Sequence, residues 1–131
     1  MKVTVDTNIL VRAVVGDDKK QAQAAAKLLR NAEILAVAVS CLCELVWVLR
    51  RAYGFSAAEA AAAIRTLTEA GNVVADRPTV AAGLTMLDAG GDFADGVIAY
   101  EGRWLGAETF VSFDKKAVEM LTAQGLEARV L

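Results

Sequence analysis

The sequence predicts an α/β protein in which helices cover both faces of a central parallel sheet of about five strands. Short apolar segments rich in β-branched residues alternate along the chain with longer segments whose apolar residues recur at helical spacing. The chain has 131 residues, of which 56% are hydrophobic and 23% charged, and this composition suits a folded core. We therefore predict a single three-layer α/β/α domain over residues 1–131.

Five segments have the short, mostly apolar composition of buried parallel strands. They comprise residues 2–5, 34–39, 72–75, 109–112 and 126–130. A helical segment lies between successive strands, and such crossovers connect strands that run parallel in one sheet. The sequence therefore predicts one parallel sheet.

Two helices have clear start signals. Asp18 is followed by Gln21 three residues later, which predicts a helix over residues 18–31. Ser56 and Glu59 form a capping box at the start of an Ala-rich segment, so a further helix is expected there.

The remaining signals mark where helices begin and end. Ser40 is expected to cap a helix that ends near residue 52. Pro78 suits the first turn of another helix, because the N–H that Pro lacks would have no partner there. The Gly pair at 90–91 is expected to end that helix before Asp92 begins the next one.

Residue types that the chain lacks restrict its chemistry. There is no His, which excludes Ser–His and Cys–His nucleophile pairs and the usual proton carrier at neutral pH. Cys41 and Cys43 are too close for an ordinary disulfide and have no further Cys or His for a zinc site, so we expect reduced packing residues. Catalysis would have to use carboxylates, Lys, hydroxyls or a metal ion.

The apolar segments are too short for a membrane protein. The longest, residues 34–39 and 45–49, fall far below the roughly 20 residues that cross a bilayer. Asp6 stands where a secretory signal would have its apolar stretch, so we expect a cytoplasmic protein. The net charge of −2 neither excludes nor supports RNA as a partner, although basic pairs occur at 19–20, 50–51 and 115–116.

Asp6 and Asp114 each follow a predicted strand directly and precede a helix. Their carboxylates should emerge at the carboxyl-terminal edge of the sheet, where open α/β sheets bind ligands. Either acid could instead cap the helix that it precedes, and each segment alone leaves both interpretations open.

Glu44 lies in a helical segment with a continuous apolar stripe, formed by Leu42, Leu45, Val46 and Leu49. A Glu in the first turn would interact favourably with the helix N-terminus by a few tenths to about 1 kcal/mol. An uncompensated carboxylate among apolar neighbours would cost more than that, so we prefer a bound cation as the explanation.

Asp92 and Asp95 share the first turn of a predicted helix, and only one of them can cap it. Asp92 is the better cap. Asp95 stands at the third helical position beside an apolar run, so we expect its side chain to point into a site.

Four acids fall at strand ends or helix starts: Asp6, Glu44, Asp95 and Asp114. If each acid were only structural, these four placements would have to be unrelated. Like charges brought together raise one another's pKa, and a hard divalent cation removes this penalty by coordinating their oxygens. Oxygen ligands without His or Cys favour Mg²⁺ or Mn²⁺ over Zn²⁺. Such an ion polarises a phosphoryl oxygen and lowers the pKa of water, which supplies a nucleophile without His.

Four motifs in this order resemble those of the PIN-domain nucleases, and specifically of the VapC-like toxins of bacterial toxin–antitoxin pairs. The motifs are Val-Asp-Thr-Asn at 5–8, Glu44 in an apolar helix, Asp-Phe-Ala-Asp-Gly-Val-Ile-Ala at 92–99, and Ser-Phe-Asp at 112–114. The resemblance covers essentially the whole chain. It implies a Mg²⁺-dependent endoribonuclease that forms a homodimer and is inhibited by a small VapB-like antitoxin.

The resemblance also implies roles for individual residues. The acidic quartet that would hold one or two metal ions corresponds to Asp6, Glu44, Asp95 and Asp114. Asn8 and Ser112 correspond to the polar residues that support the quartet in the family, and Thr7 and Asp92 are further residues that we expect to support it. Asn8 and Ser112 could equally make ordinary capping and turn hydrogen bonds.

One position departs from the family pattern. Gly96 stands where these toxins commonly have Ala. Because Gly costs a helix up to about 1 kcal/mol relative to Ala, we expect a looser first turn near Asp95.

Two other function classes stay open. Asp6 could be the nucleophile of a phosphoryl-transfer enzyme, but Asn8 stands where such a motif has a second Asp. A PIN-like domain could also hold RNA or a protein without cleaving it, which the complete quartet opposes.

Aromatic and basic residues outside these motifs also have two interpretations. Trp47, Trp104 and Tyr53 are either interface anchors or partly buried core residues. Arg50 and Arg51 either contact RNA phosphates or belong to an ordinary solvated helix face.

Overall fold

A computed structural model describes all residues from Met1 to Leu131 and contains seven helices and five strands. The chain divides into two compact units, unit 1 (Met1–Asp76) and unit 2 (Arg77–Leu131). None of the helices combines the length and the apolar character needed to span a bilayer.

Unit 1 contains a three-stranded parallel sheet with four helices. The strands are β1 (Lys2–Thr4), β2 (Ile34–Ala36) and β3 (Val73–Val74), and β2 lies in the centre with Val3 opposite Leu35 and Leu35 opposite Val73. The helices are α1 (Thr7–Val15), α2 (Lys19–Asn31), α3 (Val39–Ala52) and α4 (Ala57–Glu69). The core of this unit is built mainly from fully buried aliphatic side chains: Leu10, Leu35, Leu42, Leu45, Leu49 and Ile64.

Two predicted helix starts in unit 1 are confirmed. The Asp18 carboxylate accepts a hydrogen bond from the Gln21 backbone N–H at 3.0 Å and caps α2. Ser56 and Glu59 form a reciprocal capping box at the start of α4, with both hydrogen bonds at 3.0 Å. In each case a short polar side chain satisfies backbone N–H groups that the first helical turn leaves without partners.

The start of α3 differs from the prediction. Its N-cap is Ala38, which provides no side-chain hydrogen bond, and Ser40 lies inside the first turn. The sequence suggested a strand as far as residue 39 because Val37 and Val39 are β-branched. Strand β2 instead ends at Ala36, although the Val37 N–H still donates to the Val74 carbonyl at 3.0 Å.

Unit 2 contains three helices and a parallel pair of strands. In chain order they are α5 (Arg77–Asp88), α6 (Phe93–Trp104), β4 (Phe110–Ser112), α7 (Lys115–Ala123) and β5 (Ala128–Val130). Pro78 lies in the first turn of α5, Gly90 has a φ of 91° after its end, and Asp92 caps α6, as predicted.

The α/β class and the parallel pairing are therefore confirmed, and all five strands occur in the predicted order. The difference lies in the sheet, which was expected to be one of about five strands. The structure has a three-stranded sheet in unit 1 and a two-stranded sheet in unit 2. The strands are also shorter than predicted, with two or three residues each, because residues at the ends of the apolar segments serve as connections and helix caps.

Candidate active site

Asp6 begins the candidate site in unit 1, two residues after the end of β1. Its Oδ1 accepts a hydrogen bond from the Thr7 backbone N–H at 2.7 Å, which makes it the N-cap of α1. The capping interpretation is thus confirmed for Asp6. A helix cap and a site residue are compatible roles for Asp6. The cap uses Oδ1 and fixes the direction of the carboxylate, which is exposed, and Oδ2 takes no part in the cap.

Thr7 joins Asp6 to the second acid of this unit. Its hydroxyl, on a side chain that is only 7% exposed, donates to Glu44 Oε2 at 3.1 Å. The same hydroxyl contacts the Sγ of Cys41 at 3.4 Å. Thr7 therefore bonds Asp6 through its backbone and Glu44 through its side chain, which gives it a more central place than the sequence suggested.

Cys41 shows that the two acids share one neighbourhood. The pKa of its thiol is raised, first by burial and also by the negative charges of Glu44 and Asp6, while the hydrogen bond with Thr7 acts in the opposite direction. A thiol whose pKa is raised stays protonated at neutral pH, so Cys41 acts here as a packing residue, as predicted.

The expectation that the Glu44 carboxylate lies among apolar neighbours is wrong. The stripe of Leu42, Leu45, Val46 and Leu49 is buried as predicted, but Glu44 itself lies on the exposed side of α3. Because α3 begins at Val39, Glu44 also lies beyond the first turn, so the helix N-terminus does not explain it either. What distinguishes Glu44 is its hydrogen bond with Thr7 and its closeness to the charge of Asp6.

In unit 2, Asp92 caps a helix and Asp95 lies inside its first turn, as predicted. Asp92 Oδ1 accepts from the Ala94 backbone N–H at 3.0 Å and caps α6. Asp95 is the third residue of α6 and is half-buried. Its pKa is raised, chiefly by burial and then by the charges of Asp92 and Asp114.

Asp114 completes this group at the end of β4. Its Oδ1 accepts from the Ala117 backbone N–H at 3.2 Å and caps α7, so capping is confirmed here too. Ser112 Oγ accepts from the Asp114 backbone N–H at 3.0 Å and fixes the turn that carries the acid. Asn8 is exposed in the first turn of α1.

Gly96 has a different role from the one expected. A Cβ at this position would fall on the carbonyl oxygen of Ala82 and would come within 2.9 Å of Met86 Cγ. Gly96 is buried and allows α6 to approach the backbone of α5 closely. It therefore secures the packing next to Asp95 rather than loosening the turn.

The predicted site residues thus form two groups, one in each unit. Asp6 and Glu44 both hydrogen-bond to Thr7, and the charges of Asp92 and Asp114 raise the pKa of Asp95. No set of three or more carboxylates and thiols is arranged so that it could hold a metal ion. The donor chemistry nevertheless fits a hard divalent cation, because all candidates are carboxylates and those of unit 2 repel one another.

A separate hollow of about 240 Å³ lies in unit 2 and includes none of these acids. Residues Ile98, Gly102, Thr109 and Phe110 are among those that line it. Concave, partly apolar spaces are common ligand sites, but the acids of this protein lie at a different location.

An α/β fold with carboxylates near strand ends and in helices, in a chain without His, suits a nuclease-type hydrolase. Residues 3–120 match the PIN domain family, and this stretch includes all four acids of the predicted quartet. The chain therefore belongs to the PIN-domain family, whose members are generally nucleases. A search of the curated proteins gave no match to the chain.

Proposed function

We propose that the protein is a metal-dependent endoribonuclease and the toxin of a toxin–antitoxin pair. One observation carries the proposal. The two acid groups, around Thr7 and around Asp95, fall inside the segment that matches the PIN domain, in a chain that has no His for metal-free catalysis.

In this proposal Asp6, Glu44, Asp95 and Asp114 would hold one or two Mg²⁺ or Mn²⁺ ions. The ion, when bound, would polarise the phosphodiester and lower the pKa of water. Each acid has a local constraint that limits its rotation or raises its affinity for a cation. Thr7 orients Glu44, helix caps orient Asp6 and Asp114, and partial burial makes the charged form of Asp95 costly until a cation compensates it.

The expected products carry a 5′-phosphate and a 3′-hydroxyl. Metal-free ribonucleases use the RNA 2′-hydroxyl as nucleophile and normally need a side chain that carries protons at neutral pH. This chain has no His for that task, so we expect water to attack the phosphodiester in line with the departing 3′ oxygen.

The biological setting of the proposal rests on the resemblance to VapC-like toxins. It comprises a homodimer, a small VapB-like antitoxin that neutralises the activity, and location in the cytoplasm. A short adjacent reading frame that encodes a DNA-binding protein, and growth arrest on expression without that protein, would support it.

The direct test is a cleavage assay on end-labelled RNA with purified protein. We expect cleavage with Mg²⁺ or Mn²⁺, loss of cleavage with EDTA, and recovery when the metal is restored in excess. The Asp95→Asn variant, purified in parallel, controls for contaminating ribonucleases. Undiminished cleavage in EDTA, or products with a 2′,3′-cyclic phosphate, would contradict the mechanism.

A second candidate function is a PIN-like domain that binds RNA or a protein without cleaving it. The observation in its favour is that no three carboxylates converge on a metal position. RNA binding without metal-dependent cleavage, at any divalent ion tested, would favour this candidate.

A further inference from the structure

The exposed side of α3 carries a Trp–Arg pair that neither the fold nor the acids account for. Trp47 is 62% exposed, and the guanidinium carbon of Arg51 lies 6.0 Å from the centre of its ring. This exposure excludes the interpretation of Trp47 as a core residue. The Trp47 ring adds little to the core, and its contact with Arg51 is worth only about 0.5–1 kcal/mol at so exposed a position, so the ring is available for binding.

Glu44 lies on the same side of α3 as Trp47 and Arg51. Residues three and four apart are neighbours on a helix surface, so Glu44, Trp47 and Arg51 follow one another along one side of α3. At 1.5 Å per residue, Trp47 lies about 4.5 Å and Arg51 about 10 Å along the axis from Glu44. The pair is therefore continuous with the acid group of unit 1.

The charges next to Trp47 favour a polyanion. Arg50 and Arg51 are three and four residues further along the helix, and both are exposed. Arg12 forms an ion pair with Asp17, whereas neither Arg50 nor Arg51 has a carboxylate within ion-pair distance. Two unpaired guanidinium groups beside an aromatic face suit a strand that alternates bases with phosphates.

A protein partner suits this surface less well. Protein interfaces are enriched in Trp and Arg, but they also have an apolar centre, which the charged neighbours of Trp47 do not provide. The helical neighbours of Trp47 on its exposed side include Glu44, Arg50 and Arg51, and the nearest other exposed aromatic on α3 or its end, Tyr53, donates its hydroxyl to Asp17 at 2.9 Å. A single aromatic ring among charges is typical of a stacking position for one base.

We propose that Trp47 and Arg51 form a positioning platform for single-stranded RNA. One base stacks on the face of the Trp47 ring away from Arg51, and Arg51 contacts an adjacent phosphate. The inference rests on the proposed function, because it places the RNA strand beside Glu44. Trp47 and Arg51 are positioning residues here and take no part in bond cleavage.

Binding and cleavage are measured separately, so that the two proposals can fail independently. The binding probe is a fluorescently labelled ten-nucleotide single-stranded RNA of mixed sequence, titrated in EDTA, which the proposed mechanism predicts to stop cleavage. Trp47→Ala should weaken binding by about 5- to 100-fold, the scale of one lost base–aromatic stack. Trp104→Ala is the matched control, because Trp104 is 77% exposed, follows Arg103 directly, and lies nine residues beyond Asp95 on α6.

Salt dependence separates the roles of the two residues. Arg51→Gln should reduce the slope of log affinity against log salt concentration by about 0.7, the value for one phosphate contact on a single strand. Trp47→Ala should leave the slope unchanged, because stacking releases no counterions. In a Trp104→Phe background, which leaves Trp47 as the sole tryptophan, RNA should quench its fluorescence.

Each outcome decides between the proposals. Cleavage by the wild type with unchanged RNA affinity and unchanged KM in Trp47→Ala would overturn the platform and leave the nuclease intact. Quenching of Trp47 by RNA without cleavage would support the platform and contradict the nuclease. Quenching by a cognate protein partner but not by RNA would overturn the platform in favour of a protein interface. An unchanged melting temperature of Trp47→Ala, expected for so exposed a side chain, excludes unfolding as the cause.

Discussion

In unit 1 both candidate acids are hydrogen-bonded to one residue, whereas in unit 2 one of the two candidate acids, Asp95, has other acids as its charged neighbours. Thr7 donates its backbone N–H to Asp6 and its hydroxyl to Glu44. Asp95 is half-buried, and the charges of Asp92 and Asp114 raise its pKa further. Unit 1 therefore positions its carboxylates by hydrogen bonds, and unit 2 holds a carboxylate whose charge is unfavourable where it lies.

This difference predicts opposite effects of substitution. Removing a hydrogen bond from the Thr7 group should lower both stability and activity. Removing the charge of Asp95 should lower activity but not stability, because a repulsion is lost with it. Such a trade between stability and function is typical of groups that act on a substrate or a metal ion.

The largest effect is expected for Asp95→Asn. RNA cleavage should fall by about 100-fold or more, the scale on which removal of one charge-stabilising group acts. The urea midpoint without metal should stay the same or rise. Cleavage rates over a Mg²⁺ titration and urea unfolding in EDTA measure the two effects.

Asp92→Asn is the matched control for this prediction. Asn caps a helix about as well as Asp, so the bond to the Ala94 N–H and the stability should persist, with only a modest loss of activity. A severe, metal-rescuable defect in Asp92→Asn with near-normal Asp95→Asn would reverse the roles assigned to the two acids. A lower urea midpoint for Asp95→Asn would contradict the claim that the charge of Asp95 destabilises unit 2.

The second effect concerns the packing that holds Asp95 in place. Gly96→Ala gains up to about 1 kcal/mol of helix propensity, but its Cβ would meet the backbone of Ala82, and overpacking costs about 1–3 kcal/mol. We expect a net loss of up to about 2 kcal/mol in the free energy of unfolding, measured with urea. Gly102→Ala in the same helix meets no atom within 4 Å and should stabilise the protein by up to about 1 kcal/mol. If both variants were stabilised, the close approach of α5 and α6 would not be required.

The third effect tests the hydrogen bonds of Thr7 in unit 1. Thr7→Val keeps the shape of the side chain but removes the hydroxyl that orients Glu44, so we expect a loss of about 1 kcal/mol in stability. Cleavage should fall about 10-fold, as for other residues that orient metal ligands. Thr4→Val provides the control, since the Thr4 hydroxyl donates to the Ala36 carbonyl in an exposed position, and its effect should stay within about 0.5 kcal/mol. Wild-type cleavage by Thr7→Val would show that Glu44 needs no such support.

The smallest effect is a difference in pH dependence. The pKa of Asp17 is lowered, first by the hydrogen bond from the Tyr53 hydroxyl and also by the Arg12 guanidinium 2.9 Å away. Because the folded pKa is below the unfolded one, Asp17 stabilises the protein above the unfolded value of about 3.9, and this contribution is lost as the pH falls through the folded pKa. Asp95, with a raised pKa, has the opposite sign, and its destabilising effect disappears as the pH falls through that value.

Tyr53→Phe should therefore raise the pKa of Asp17, measured by NMR titration of the carboxyl, and reduce the loss of stability on acidification below about pH 4. Asp95→Asn should change the pH dependence at higher pH and in the opposite direction. An unchanged Asp17 pKa in Tyr53→Phe would mean that the Tyr53 hydroxyl is not its main stabilising partner.

Local rules at helix starts correctly predicted where several of the candidate residues lie. Capping by Asp92, the box of Ser56 and Glu59, and the position of Asp95 in a first turn follow from short-range hydrogen bonding, which a sequence pattern records directly. Asp6 and Asp114 were expected at strand ends with capping left open, and both cap a helix. Glu44 was identified for the wrong reason, because its exposure depends on where α3 begins.

By itself, the sequence determined the α/β class, the five strands in their order along the chain, and the acids next to strand ends and helix starts, because each depends on periodicity or on neighbours within a few residues. Only the tertiary structure decided that Thr7 bonds Glu44 across 37 residues, that Gly96 faces the backbone of Ala82, and that Trp47 is exposed. These features depend on how elements distant in sequence approach one another, and the packing that brings them together is a property of the whole core rather than of any segment.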